Sequence, residues 1–213
     1  LVTGASQGIG EAMARDFAAE GHNLIIVARR EDVLTRLADE LEKDYGVDVV
    51  VAAHDLSVTE DVDTLLSLID EKRISICVNS AGIASFGPFM EQDWEYETNQ
   101  FNLNAAAVFR ITKAVLDQMV PRGEGALCNV GSAAGNTAIP NNATYAASKA
   151  FLNTFSESLR GEVKKQGVNV TLLAPGPVRT EEIAEAEQVE LVPWVASEKK
   201  VSFQAGMRFI SFF

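Results

Sequence analysis

The run Thr3-Gly4-Ala5-Ser6-Gln7-Gly8-Ile9-Gly10 stands near the start of the chain, between the apolar pair Leu1-Val2 and a stretch in which Ile9, Met13 and Phe17 recur at helical spacing until Gly21. Glycines placed there let the backbone turn tightly and come close to a pyrophosphate, which then rests on the free amides and positive dipole end of the following helix. A turn that merely needs glycine looks the same locally, so its flanks decide. A strand precedes it, a helix follows, and a second apolar run, residues 23–28 (NLIIVA), comes next, which makes a strand, helix, strand unit of the kind that binds a nucleotide. The spacing is Gly-x-x-x-Gly-x-Gly rather than the Gly-x-Gly-x-x-Gly of most dinucleotide folds.

The alternation continues beyond this unit. Short runs rich in Val and Ile or otherwise apolar recur at residues 48–53, 74–78, 125–130 and 168–173, as strands covered by helices on both faces require. Between them lie helical stripes, Leu34, Leu37 and Leu41, then Val62, Leu65, Leu66 and Ile69, each with a charged opposite face. Longer helices are predicted over about residues 98–119 and 143–165. These carry apolar residues on more than one side (Leu103, Ile111 and Val115; Phe151, Phe155 and Leu159), and a second apolar face calls for a partner chain, so a homo-dimer or homo-tetramer is expected. Strict alternation with crossovers too long for hairpins predicts an α/β fold, a doubly wound parallel sheet of the Rossmann type in three layers. No repeat or linker composition divides the chain, so residues 1–213 are expected to form a single domain.

Composition narrows the function. With 47% hydrophobic and 23% charged residues the chain is neither disordered nor fibrous. Its 18 Lys plus Arg against 30 Asp plus Glu give a net charge of −12, which repels polyanions and disfavours nucleic acid and anionic membrane as partners. No apolar stretch approaches the roughly 20 residues of a membrane helix. Cys77 and Cys128 sit in apolar runs as expected of buried thiols, which suits a reducing cytoplasm. His22 and His54 have no ligand-spaced partner, so both read as structural and no metal is expected. The chain begins at Leu1, while a buried strand takes about five residues, so residues ahead of Leu1 are expected.

Two further constellations carry chemistry. The second strand ends in Ala28-Arg29-Arg30, where a carboxylate would hold the ribose hydroxyls of NAD. Arginine instead offers a planar fork for a phosphate, so Arg29, aided by Arg30 and Ser6, points to the 2′-phosphate of NADP, and NADP(H) is expected over NAD(H). The alternative is two solvated arginines paired with Glu31 and Asp32. The other constellation is Tyr145-Ala146-Ala147-Ser148-Lys149 with Ser132 upstream. A spacing of four puts Tyr145 and Lys149 on one helix face. A phenol ionises only near pH 10, about three units too high for neutral-pH proton transfer, and an adjacent ammonium brings it down. Such a pair can run acid/base chemistry on an alcohol or ketone, although Tyr and Lys four apart occur together in many helices by chance.

Taken together, residues 3–10, Asn79-Ser80-Ala81-Gly82, Ser132, Tyr145 with Lys149, and Pro175-Gly176-Pro177-Val178-Arg179-Thr180 stand in the order and approximate spacing of the short-chain dehydrogenase/reductase family. The resemblance covers residues 1–180. Residues 28–34 (ARREDVL), Phe86-Gly87-Pro88-Phe89 and Gly131-Ser132-Ala133-Ala134-Gly135 are most similar to a broad bacterial branch of it. The resemblance implies an oxidoreductase moving a hydride between NADP(H) and a small or medium carbonyl or alcohol. Tyr145 then matches the catalytic tyrosine, Lys149 the lysine beside it that also holds the nicotinamide ribose, Ser132 the serine that orients the substrate oxygen, and Asn104 the asparagine that anchors a relay water. Asn102 competes with Asn104 for that role, and the distance to Thr112-Lys113-Ala114 favours Asn104. For the coenzyme, Gly4, Ser6, Gln7, Gly8, Ile9 and Gly10 match the turn, Arg29 and Arg30 the phosphate side, and Asp55 with Leu56 the adenine side. Asn79, Ala81 and Gly82 match the nicotinamide side, and Pro175, Gly176, Val178 and Thr180 the loop at the carboxamide.

Two departures qualify the resemblance. The family's Asn-Asn-Ala-Gly is Asn79-Ser80-Ala81-Gly82 here. The chain also ends about where the family continues into a last helix and strand, so residues beyond Phe213 are expected, with 181–213 forming a substrate lid and C-terminal helix. A binding protein that had lost its chemistry, acting as redox sensor or scaffold, is the competing reading. It would be expected to lack one of Asn104, Ser132, Tyr145 or Lys149, and all four are present.

Overall fold

In the computed structural model of the chain, residues 1–176 are described. The expected lid and C-terminal helix, together with Val178 and Thr180, lie outside the described residues, as does part of the single-domain expectation over 1–213. Six strands, β1 (Val2–Thr3), β2 (Leu24–Ala28), β3 (Val49–Ala53), β4 (Ile76–Asn79), β5 (Gly125–Val130) and β6 (Val168–Leu173), form one sheet in the order β3-β2-β1-β4-β5-β6. Every neighbouring pair is parallel; Val2, for example, lies between Ile26 and Val78. Helices α1 (Gly8–Ala19), α2 (Glu31–Tyr45), α3 (Thr59–Glu71), α4 (Trp94–Phe101), α5 (Val108–Arg122) and α6 (Ala143–Val163) flank the sheet in a three-layer α/β fold. The chain builds outward through β1, β2 and β3 and then returns to lay β4 beside β1, so the strand order reverses at the β1/β4 boundary. Ligands of open α/β sheets bind in the crevice beyond the carboxyl ends of the strands at such a reversal.

Apolar spacing produces these elements. On α2, Leu34, Leu37, Ala38 and Leu41 are buried along one stripe, with Glu31 and Asp32 in the first turn and Lys43 in the last, where they complement the helix dipole. Gly46 ends the helix at φ +68, and its N–H reaches the Glu42 carbonyl at 2.9 Å. One core joins Leu65 and Ile69 of α3, Cys77, Leu127 and Val170 of the sheet, and Ile111, Val115 and Met119 of α5.

Glycine is required where the first turn meets the rest of the site. Gly4 has φ +70, and a Cβ there would lie 2.8 Å from the Ala81 amide nitrogen, while a Cβ on Gly10 would overlap the Gly4 carbonyl oxygen. The first glycine of the motif thus presses the turn against the segment after β4, and the last presses α1 against the turn.

Several expectations change in detail. β3 ends the sheet with a neighbour on one side only, and its Val50 is 37% exposed rather than covered. The helix expected over 98–119 is a longer path, α4 followed by a π-helical turn at Asn102–Ala107 and then α5. Leu103, Ile111 and Val115, read as an outward apolar face, are buried inside this chain's own core, and the outward rings belong to Phe101, Phe109 and Phe151.

Candidate active site

The floor of the crevice is a set of buried polar side chains at the strand ends. Thr3 Oγ1 accepts the N–H groups of Ser80 and Ala81 at 3.1 and 3.2 Å, fastening the end of β1 to the segment after β4. Asn79 donates its amide to Thr112 Oγ1 at 3.3 Å and to Asn129 Oδ1 at 2.9 Å, and Asn129 donates to Ser156 Oγ at 2.9 Å. Asn79 and Asn129 are 1% and 0% exposed, so this chain of bonds ties β4, β5, α5 and α6 together behind the site. The Asn79 side chain is therefore directed into the core, and what faces the crevice beyond β4 is the backbone from Ser80 to Gly82.

At the other side of the turn lie the two arginines. Arg30 donates to Ser6 O at 3.1 Å, Ser6 Oγ at 3.3 Å and Gln7 Oε1 at 2.6 Å, which lays its guanidinium along the glycine turn. Arg29 stands 3.8 Å from Asp55 Oδ2. The other Asp55 oxygen accepts from Ser57 N and Oγ at 2.9 and 2.7 Å. Sequence spacing made Arg29 the leading phosphate ligand; in the structure Arg30 is the one in contact with the turn. Leu56, 4% exposed, packs in the core, so only its backbone is available to a coenzyme.

Lys149, Tyr145 and Asn104 lie near one another beyond the ends of β4 and β5, and Ser132 follows the end of β5. Lys149 is 5% exposed, its ammonium donates to the Val130 carbonyl at 2.9 Å, and it lies 5.7 Å from the centroid of the Tyr145 ring. Asn104, within the π turn, accepts Ile83 N–H at 3.0 Å and donates to Ile83 O at 2.9 Å and Ser148 Oγ at 3.2 Å. Ser148 in turn donates to the Tyr145 carbonyl at 2.8 Å. A Cβ on Gly82 would stand 3.1 Å from Asn104 Oδ1 and 3.5 Å from the Lys149 ammonium, so these three residues meet in one place. Asn102 points elsewhere, donating to the Ser57 carbonyl at 3.4 Å. Ser132 is extended at the end of β5 and accepts the Ala134 N–H at 3.1 Å, which leaves its own O–H to donate. Pro175 accepts Ala133 N–H at 2.9 Å, and Gly176 is the last described residue.

The sequence matches the family described as short chain dehydrogenase over residues 1–190. The chain belongs to the short-chain dehydrogenase family. Sulfoacetaldehyde reductase 2 of Chromohalobacter salexigens is 39% identical over 189 residues, which cover 85% of this chain and 73% of that protein. A very-long-chain 3-oxoacyl-CoA reductase of Meyerozyma guilliermondii is 35% identical over 81% of this chain but only 54% of its own length. The solved short-chain dehydrogenase from Sphingobium yanoikuyae in complex with NADPH superposes with a TM-score of 0.85 at 36% identity, covering 90% of this chain and 76% of that one. Short-chain dehydrogenases are nicotinamide-dependent oxidoreductases of carbonyl and alcohol groups, and this chain is one of them.

Reading the sequence missed the supports of this short-chain dehydrogenase site. Thr3, Asn129, Ser148 and Asn153 are 1%, 0%, 0% and 6% exposed, and each bonds a site segment. One signal was available: Asn153 follows Tyr145 and Lys149 at the same helical interval of four.

Proposed function

We propose that the protein transfers hydride between NADP(H) and a small or medium carbonyl/alcohol pair, as a homo-oligomer in the cytoplasm. The grouping of Asn104, Lys149 and Tyr145 supports it above all: the ammonium of Lys149, fixed by the Val130 carbonyl, lies beside the Tyr145 ring, and Ser132 follows the end of β5. The residues fit a dinucleotide. The turn leaves no room for a Cβ at Gly4 or Gly10, α1 begins at Gly8 with its amides free for a pyrophosphate, and two guanidiniums border the turn in place of a carboxylate. When bound, the nicotinamide supplies or takes up the hydride at the substrate carbon.

The chain's own residues handle the oxygen and its proton. Ser132 donates its hydroxyl to the substrate oxygen and orients it. Tyr145 gives that oxygen a proton as negative charge develops, or removes the hydroxyl proton in reverse. A fixed positive charge beside a phenol favours the phenolate, which is the work of Lys149. Asn104 holds the relay side, as the family resemblance implies.

Preference for NADP(H) rests on Arg29 and Arg30 with Ala28 where a carboxylate would stand, and the Sphingobium yanoikuyae relative was solved with NADPH. Oligomerisation rests on Phe109 and Phe151, 51% and 39% exposed, both packed on Phe155 with ring centroids 5.7 and 5.3 Å away. Cys77 and Cys128 are free thiols, as a reducing compartment favours, and the charge of −12 makes polyanions poor partners. Among the described residues no helix is long and apolar enough to cross a membrane. The test is a panel of benzaldehyde, cyclohexanone, acetophenone, diacetyl and ethyl acetoacetate, followed at the nicotinamide absorbance with NADPH and NADH. Turnover of at least one with NADPH is expected, and none with either coenzyme would overturn the reading.

A further inference from the structure

Ser132 is held from one side by a single amide. The Nδ2 group of Asn153 donates to the Ser132 carbonyl at 2.9 Å and to Asn136 Oδ1 at 3.0 Å, while its Oδ1 accepts the Ser132 N–H at 3.4 Å. Ser132 N–H requires an acceptor and its carbonyl a donor, so the orientation of the amide is dictated by its partners. Asn153 is 6% exposed, and a Cβ on Gly131 would overlap its Oδ1, so the backbone before the serine passes directly over the amide. Asn153 lies on α6 at the interval that separates Tyr145 from Lys149, so all three project from one helix face. The segment after Ser132 closes on itself through Gly135 N–H to the Ser132 carbonyl at 3.0 Å and Ala134 N–H to Ser132 Oγ at 3.1 Å. Asn153 ties this segment to α6 through its side chain.

We propose that Asn153 is a positioning residue for the catalytic serine, clamping the 131–136 segment to the helix that carries Tyr145 and Lys149 so that the serine hydroxyl and the tyrosine keep a fixed separation. Mimicking a neighbouring strand, the amide bonds both backbone groups of Ser132 just past the end of β5. This rests on the proposed function for its catalytic consequence, though not for the clamp itself.

The test uses Asn153→Leu, close in size and without hydrogen bonds, and Asn153→Asp, which keeps an acceptor for the Ser132 N–H and loses both donors. In hydrogen exchange followed by mass spectrometry, Asn153→Leu should speed exchange of a peptide spanning 131–137 by at least about tenfold while the peptide over the middle of α6 is unchanged. With NADPH and the fastest carbonyl of the panel, kcat should fall by roughly ten- to a hundredfold, with NADPH affinity preserved and Asn153→Asp intermediate. In a Ser132→Ala background, Asn153→Leu should lower kcat little further, because its effect passes through the serine. Unchanged exchange at 131–137 overturns the clamp, and a full additional loss in the Ser132→Ala background overturns the positioning role. Absence of turnover in the unmodified protein would instead remove the functional reading, and exchange would still decide the clamp.

Discussion

At the scale of single residues, the proposed function divides labour between groups that handle protons and groups that read the coenzyme. Tyr145→Phe keeps the ring and removes the proton, so coenzyme binding should survive while turnover falls by the roughly 10²- to 10⁴-fold typical of a general acid/base residue. Lys149→Ala should weaken both, because on the proposed function its buried ammonium holds the nicotinamide ribose as well as favouring the phenolate of Tyr145. Steady-state kinetics with coenzyme titrations separates the two outcomes, and undiminished turnover in Tyr145→Phe would remove the mechanism. Coenzyme choice is a second residue-scale question. Hydrogen bonds to charged groups contribute about 1.5–3 kcal/mol and about 1.4 kcal/mol is tenfold, so one well-placed arginine gives roughly a ten- to hundredfold preference for NADPH. Arg30, already in contact with Ser6 and Gln7, should carry more of it than Arg29, which stands beside Asp55. Arg30→Ala should therefore cost more in kcat/KM with NADPH than Arg29→Ala, and neither should change the value with NADH. Ala28→Asp combined with Arg29→Ile should reverse the preference, and equal kcat/KM for the two coenzymes in the unmodified protein would end it.

The strands and helices show what the sequence could and could not reveal. Gly125–Val130 and Val168–Leu173 were legible to the residue, because each is a short, largely apolar run entered from a glycine-bearing turn, although Asn169 on β6 is exposed. The π turn at Asn102–Ala107 was not, since a local change in helical pitch leaves no mark on an apolar stripe, and yet it is where Asn104 sits. Asn104, Ser132, Tyr145 and Lys149 stood out as candidates only as a set in order, since each alone is common. Which way Asn79 points, and which arginine touches the turn, depends on side-chain direction at a strand end, which spacing does not encode. The central strands also set a chemical expectation. Burial pushes the Cys77 thiol on β4 from 9.0 to about 12 and the Cys128 thiol on β5 to about 11. Both values lie above that of an unfolded chain, so the folded state holds these protons while the unfolded state releases them. The stability they contribute is present below about pH 9 and is lost as pH climbs from there towards 11 and 12. Thermal unfolding should therefore shift to lower temperature above pH 9, and replacing both cysteines by alanine should flatten that alkaline limb. At pH 8 the thiolate is scarce in the folded protein, so a disulfide reagent should react only on unfolding. Rapid labelling of the native protein would contradict the burial assigned to these two strands.

For the molecule as a whole, the proposed assembly would set apolar association against like-charge repulsion. Two copies at −12 each repel, but at physiological salt the screening length is about 8 Å, so repulsion acts only near the contact. The outward rings of Phe109 and Phe151, with Phe155 between them, offer the opposing attraction, since each aromatic side chain buries on the order of 150–250 Å² when covered. Association should strengthen as salt rises from low ionic strength, the reverse of a contact built on ion pairs. Phe109→Asp and Phe151→Glu place charges in that patch and should yield monomers in sedimentation or light scattering. A monomeric unmodified protein at micromolar concentration would show that the rings face solvent. Ser148, Asn153 and Val130 of the same chain bond Asn104, Ser132 and Lys149, and Phe109 takes part in none of these bonds. A Phe109→Asp monomer should accordingly keep turnover of the same order as the parent. Turnover lost to the extent seen in Tyr145→Phe would mean that α6 needs its neighbour across the contact to hold Tyr145 in place, and assembly would then belong to the catalytic apparatus.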